Sequence, residues 1–161
     1  MLYYFKTKQE LYQVVIVRVI RQWLDSLGEL HKDDQPIDVI TQYISKKMQL
    51  SRQYPEASRL IAMEIIAGAP IIDNFMQTEL RSWVKEKGEV FLVWQKEGLM
   101  APIDPAHVFF MIWALTQTYA DFESQISAVM EPKNYEKEIY PLATGYVIEV
   151  LVRGLDLKPR L

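Results

Sequence analysis

The sequence predicts an all-α fold, and three observations carry that reading. Apolar residues recur at spacings of three and four along the whole chain. No Asn-Gly or Asp-Gly turn lies between alternating runs, so nothing marks a β-hairpin. Proline and glycine fall where helices begin and end: Pro36, Gly68-Ala69-Pro70, Gly98 and Asp104-Pro105.

The first helix is opened by Thr7 and Glu10, the spacing of a capping box, in which each side chain caps the other's backbone amide. It is predicted over residues 8–29, with Leu11, Val14, Val15, Val19 and Trp23 at helical spacing and Gly28 weakening its end. A polar loop, 30–35, leads to Pro36 and a second helix whose buried stripe is Ile37, Ile40, Ile44, Met48 and Leu50. Tyr54-Pro55 breaks it, because a residue before proline is pushed out of the helical region. A short helix follows from residue 56 to about 67 and stops at Gly68-Ala69-Pro70. Residues 74–97 form a long helix with Gly88 inside it, where the missing side chain marks close approach of another backbone. Asp104-Pro105 caps a helix running to about residue 130. The last helix lies between residues 134 and 153, ending at Gly154, and Pro141 either starts its regular part or kinks it.

Composition limits the function. A chain of 161 residues, half of them hydrophobic, is one domain with a full core. A net charge of -3 argues against a nucleic-acid binder by bulk charge. Without cysteine there is no disulfide, and His31 and His107 stand too far apart for a metal site, so neither metal nor cofactor is expected. No run approaches the ~18 apolar residues of a membrane span and no signal peptide is apparent, which makes a soluble cytoplasmic protein the default. No Ser-His-Asp set, phosphate loop or close carboxylate pair stands out, so an enzyme is not expected.

The N-terminal residues Tyr3, Tyr4, Phe5, Lys8, Leu11 and Tyr12 resemble the end of the recognition helix of TetR-family transcriptional regulators, where it runs into the sensing half. The resemblance implies that Tyr4 and Lys8 contact DNA phosphates. It makes residues 1–7 the remnant of a helix-turn-helix domain and 8–161 the ligand-binding and dimerisation domain. Roughly fifty residues of helix-turn-helix are then expected before Leu2, and without them no specific operator binding. Longer strings, Ser51 to Leu60, Ala67 to Pro70, Ala101 to Pro105, Phe110 to Ala114 and Tyr119 to Phe122, resemble the pyrimidine-utilisation regulators of that family. They imply a homodimeric repressor-type fold, its last two helices forming a four-helix bundle between protomers, with uracil or thymine as effector.

Trp23, Tyr43, Trp113 and Gln117 are the candidate ligand-binding residues. Trp113 and Gln117 share a helix face, aromatic walls suit a flat ring, and an amide pairs with adjacent N–H and C=O groups. The same aromatics could equally fill a core. Glu64, on an apolar helix, needs a partner; Arg59, Tyr119 and Asp121 join it as candidates for either ligand contact or a structural network. Residues 108–115 are apolar all round, and the last helix carries a seam of Leu142, Ala143, Tyr146, Val147, Val150 and Leu151, with Ile148, Val152 and Leu155 facing elsewhere. Such helices need partners on two sides, which predicts a homodimer. Two alternatives remain at this level: a sensor of another small hydrophobic effector, and a free-standing dimeric binding protein or small enzyme without DNA binding.

Overall fold

The computed structural model describes residues 6–161, so the Tyr4 expectation lies outside the described residues. Those residues form helices joined by short loops, with no strand among them. Helix α1 spans Lys8–Asp25, α2 Pro36–Gln53, α3 Pro55–Ile66 and the short α4 Asp73–Phe75. A π turn, Met76–Leu80, leads into α5, Arg81–Lys96; α6 spans Pro105–Asp121, α7 Glu123–Met130 and α8 Tyr135–Gly154.

The caps explain the boundaries. Thr7 Oγ1 accepts from the Glu10 amide at 3.1 Å, while the Glu10 carboxylate reaches the Lys6 amide at 2.8 Å, one residue before the expected Thr7 amide. Helix α1 ends a turn before the predicted residue 29, and Gly28 follows at φ +71, a conformation glycine takes without strain. Asp104 and Asn134 cap α6 and α8 as their sequences suggest. Pro141 sits inside α8, which continues through it.

Two departures come from tertiary structure. The predicted 74–97 helix is interrupted at its first turn, where the Arg81 amide donates to the Met76 carbonyl five residues back. The predicted 105–130 helix breaks at Phe122, although neither glycine nor proline marks the place. Its freed carbonyls find distant donors: Tyr119 O accepts from the Tyr135 hydroxyl at 2.6 Å and Ala120 O from Arg59 Nη1 at 3.0 Å. A helix can end wherever its last carbonyls are satisfied.

Packing divides into two apolar clusters. The larger joins α2, α5, α6 and α8 through Ile40, Tyr43, Ile44, Phe91, Trp94, Phe109, Ile112, Ala143, Val147 and Leu151. The smaller joins α1, α3 and the Ala69–Phe75 segment through Ile16, Ile20, Trp23, Leu24, Ile61, Ile72 and Phe75. Trp83 and Trp113 pack against both. Gly88 does mark a close approach, but by the Pro105 ring: a Cβ there would lie 2.9 Å from the Pro105 Cβ. The C-terminal residues tie one end of the bundle, since Ala101 N donates to Leu155 O and Lys158 N to Leu99 O, at 2.7 and 3.0 Å.

Helix α8 corrects the expected seam. Val147 and Leu151 are each 4% exposed and belong to the chain's own core, as does Ala143. Leu142, Tyr146 and Val150 form a separate stripe at spacings of four, each more than half exposed. A helix face one residue around from a buried stripe turns outward, so the six residues are two adjacent stripes and not one. Leu142 and Tyr146, with Ile126, Val129 and Met130 of α7, line an open apolar groove of about 390 Å³.

Candidate functional site

Where the two clusters meet they leave a small, half-open pocket. Its walls are Ile20, Trp23 and Leu24 of α1, Lys47 of α2, Ile61 and Ile65 of α3, Met76 and Leu80 of the π turn, and Trp113 and Gln117 of α6. The volume is about 70 Å³. That is well above the ~10–15 Å³ that one water needs and suits one small ring. The π turn sends Met76 and Leu80, four residues apart, to the same wall.

Of the four residues expected to bind a ligand, three line this cavity. Trp23 is 6% exposed and forms part of the α1 wall. Trp113 and Gln117 occupy one face of α6, as their spacing requires. The Gln117 amide has no hydrogen-bond partner among the described residues. Tyr43 lies one layer out: its hydroxyl accepts from Trp113 Nε1 at 2.9 Å and does not line the cavity. Burial keeps that phenol neutral, pushing its pKa well up. Trp113 is fixed further by Phe109 and Trp83, with ring centroids 5.9 and 6.3 Å away. The indole therefore presents a positioned face to the cavity, with its N–H already committed.

Arg59 and Glu64, both on α3, do not pair with each other. Five residues along a helix turn about 140° around its axis, so the two side chains leave on different sides. Glu64 is buried and accepts from the Ile71 amide at 2.7 Å and from the Tyr12 hydroxyl at 3.4 Å. It fixes the turn after α3, where Gly68 and Ala69 both take positive φ, and only touches the first turns of α1. Arg59 serves the α6 break, donating to Ala120 O and pairing with Glu123 at 3.3 Å. Asp121 accepts from the Ser58 hydroxyl at 2.5 Å, and its partial burial raises its pKa. Tyr119 lines the α7–α8 groove instead of the cavity. Lys8 is exposed at the start of α1.

Sequence reasoning missed Lys47. It is 2% exposed, its ammonium lies 4.1 Å from the Trp23 ring centroid, and burial lowers its pKa to about 7. The signal was present: Lys47 stands four residues after Tyr43 and three after Ile44, on the buried stripe of α2. A lysine at such a position is rarely fully buried without a reason. Among the described residues no group of His, Asp or Glu is arranged to hold a metal ion, and no helix is long and apolar enough to cross a membrane.

Residues 16–158 match the TetR C-terminal family model described as YcdC-like protein, C-terminal region. The chain is 39% identical over 160 residues to the HTH-type transcriptional regulator RutR of Escherichia coli O157:H7, covering 99% of this chain and 74% of that protein. It is 38% identical, with the same coverage, to the HTH-type transcriptional regulators RutR of Escherichia coli strain K12 and Shigella flexneri. An all-helical core built around a small central cavity and a match of this length agree: the chain belongs to the TetR family of transcriptional regulators.

Proposed function

We propose that residues 8–161 are the effector-sensing and dimerisation part of a regulator that responds to uracil or thymine and controls pyrimidine-utilisation genes, with residues 1–7 the end of its DNA-binding half. The observation that carries this reading is the cavity: a space for one ring, walled by Trp23 and Trp113, with the unpaired amide of Gln117 facing in. An amide donates and accepts side by side, as the adjacent N–H and C=O of a pyrimidine do. The size of the space also argues against a large hydrophobic effector. That the relatives are named HTH-type regulators argues against a free-standing enzyme.

Regulators of this family act as homodimers that bind small effectors and operator DNA. In this chain the outward stripe Leu142, Tyr146 and Val150 of α8 supports a homodimer, since a stripe of large apolar side chains is costly to leave in water. Operator binding belongs to a chain carrying the helix-turn-helix, with Tyr4 and Lys8 at its phosphate edge.

Calorimetric titration with uracil tests the proposal. Gln117→Leu removes the amide and leaves the ring's polar edge unpaired, a cost of about 1–3 kcal/mol, so affinity falls roughly tenfold or more while the melting temperature holds. Uracil bound equally well by wild type and Gln117→Leu, or by neither, would refute it.

A further inference from the structure

The cavity holds a donor that its walls leave unused. Lys47 brings an ammonium with three protons, and among the described residues no side chain or carbonyl accepts from it. No carboxylate lies within ion-pairing distance either. Its contact is the face of Trp23 at 4.1 Å, which replaces only part of the hydration lost at 2% exposure. Asp121 of α6 acts on it from farther away, but that carboxylate already accepts from Ser58 and is drawn toward Arg59 of α3. The walls supplied by α1, α3 and the π turn are uncharged: Ile20, Trp23, Leu24, Ile61, Ile65, Met76 and Leu80. Behind α2, Tyr140 of α8 stays neutral through burial and donates to Ser51 O at 3.3 Å. Trp113 spends its N–H on Tyr43. An occupant that brings an acceptor therefore meets a donor that no wall residue engages.

We infer that Lys47 is a specificity-determining residue of this cavity: it selects planar rings that carry a carbonyl or anionic oxygen within its reach, and binding of that oxygen draws a proton onto the chain. The inference rests on the cavity being the effector site and adds a requirement that the aromatic walls and Gln117 do not impose. The direction of the linkage follows from burial, which lowers the lysine to about pH 7 when the cavity is empty. An oxygen beside the ammonium favours the charged form and raises that value again. Proton uptake is therefore absent well below pH 7, where the lysine is already charged, and approaches one proton above it. Affinity falls as pH rises through that upper range.

The full chain is titrated with uracil at about pH 8 and about pH 5.5, each in two buffers of unlike ionisation heat. Lys47→Met, which keeps the apolar stem and removes the buried charge, is titrated beside it. The expected result is most of a proton taken up at the higher pH and almost none at the lower. Lys47→Met loses the uptake and about tenfold in affinity. Uracil bound at the higher pH without proton uptake, or bound equally well by a folded Lys47→Met, overturns the inference; the wild-type uptake decides it even if that variant does not fold. Thermal shifts with benzoate and toluene separate this inference from the uracil reading. If uracil gives no heat but benzoate stabilises the chain and toluene does not, the uracil reading fails and the role of Lys47 stands. Toluene stabilising as well as benzoate, or none of the three probes binding, overturns the role of Lys47.

Discussion

Glu64 offers the sharpest separation of scaffold from binding site. Its two oxygens accept from the Ile71 amide and the Tyr12 hydroxyl, and it is only 5% exposed. Glu64→Leu keeps the bulk and the helix propensity but leaves the Ile71 amide without an acceptor. A part-buried donor left unpaired costs about 1–3 kcal/mol. For a domain of this size each kcal/mol lowers the melting temperature by about 2–4 °C, so the variant should melt roughly 2–12 °C below wild type. Glu64→Gln retains one acceptor oxygen and should lose about half as much, the difference between a charged and a neutral partner. Tyr12→Phe removes only the long 3.4 Å bond and should melt within a degree or two of wild type. Circular-dichroism melts with and without uracil make the comparison. If Glu64→Leu melts like wild type while uracil affinity drops sharply, Glu64 is a ligand contact and its assignment as a backbone clamp is wrong.

The two stripes of α8 can be told apart by charge. Val150→Glu, on the outward stripe, should give a folded chain that sediments as a monomer at micromolar concentration; Val147→Glu, 4% exposed, should unfold it, because an ionised carboxylate has no partner in that core. A folded Val147→Glu, or a Val150→Glu that remains dimeric, would contradict the division. Gly88→Ala gains about 1 kcal/mol of helix propensity but puts a Cβ 2.9 Å from the Pro105 ring, an overpacking worth about 1–3 kcal/mol. Chemical denaturation should find it no more stable than wild type and as much as about 2 kcal/mol weaker.

Most of the helical layout was legible because local chemistry and tertiary packing agree. Thr7, Pro36, Tyr54-Pro55, Asp104-Pro105 and Asn134 each mark a boundary that the structure keeps within a residue or so. The break at Phe122 was not legible, since its cause is Arg59 and Tyr135, far away in sequence, taking the carbonyls of Ala120 and Tyr119. The π turn has the same character: no residue type in Met76–Leu80 demands it. In the cavity, the i, i+4 pair Trp113 and Gln117 could be placed because one helix fixes both. Which layer Tyr43 occupies depends on the Trp113 indole across the bundle, which no spacing within α2 encodes. Lys47 was legible as a position and overlooked as a charge.

The cavity also bears on how a signal could leave it. Helix α1 is held at both ends of its buried face: near its start Tyr12 meets Glu64, and farther along Arg21 makes a two-pronged pair with Glu79 of the π turn, at 2.6 and 2.8 Å. On either side of Arg21, Ile20, Trp23 and Leu24 line the cavity. The Arg21–Glu79 pair is largely exposed and screened by water, so it guides the helix more than it clamps it. Glu64 itself is fixed by the Ile71 amide, but its link to α1 is the long 3.4 Å bond from Tyr12. A ring entering beside Trp23 would thus push on the part of α1 that the Arg21–Glu79 pair guides. Met76 and Leu80, on the opposite wall, sit in the π turn that carries Glu79, so the same ring would bear on both partners of the exposed pair. An effector shifts an equilibrium only by its differential contact with the two states. In this geometry that difference would be concentrated where α1 meets the π turn.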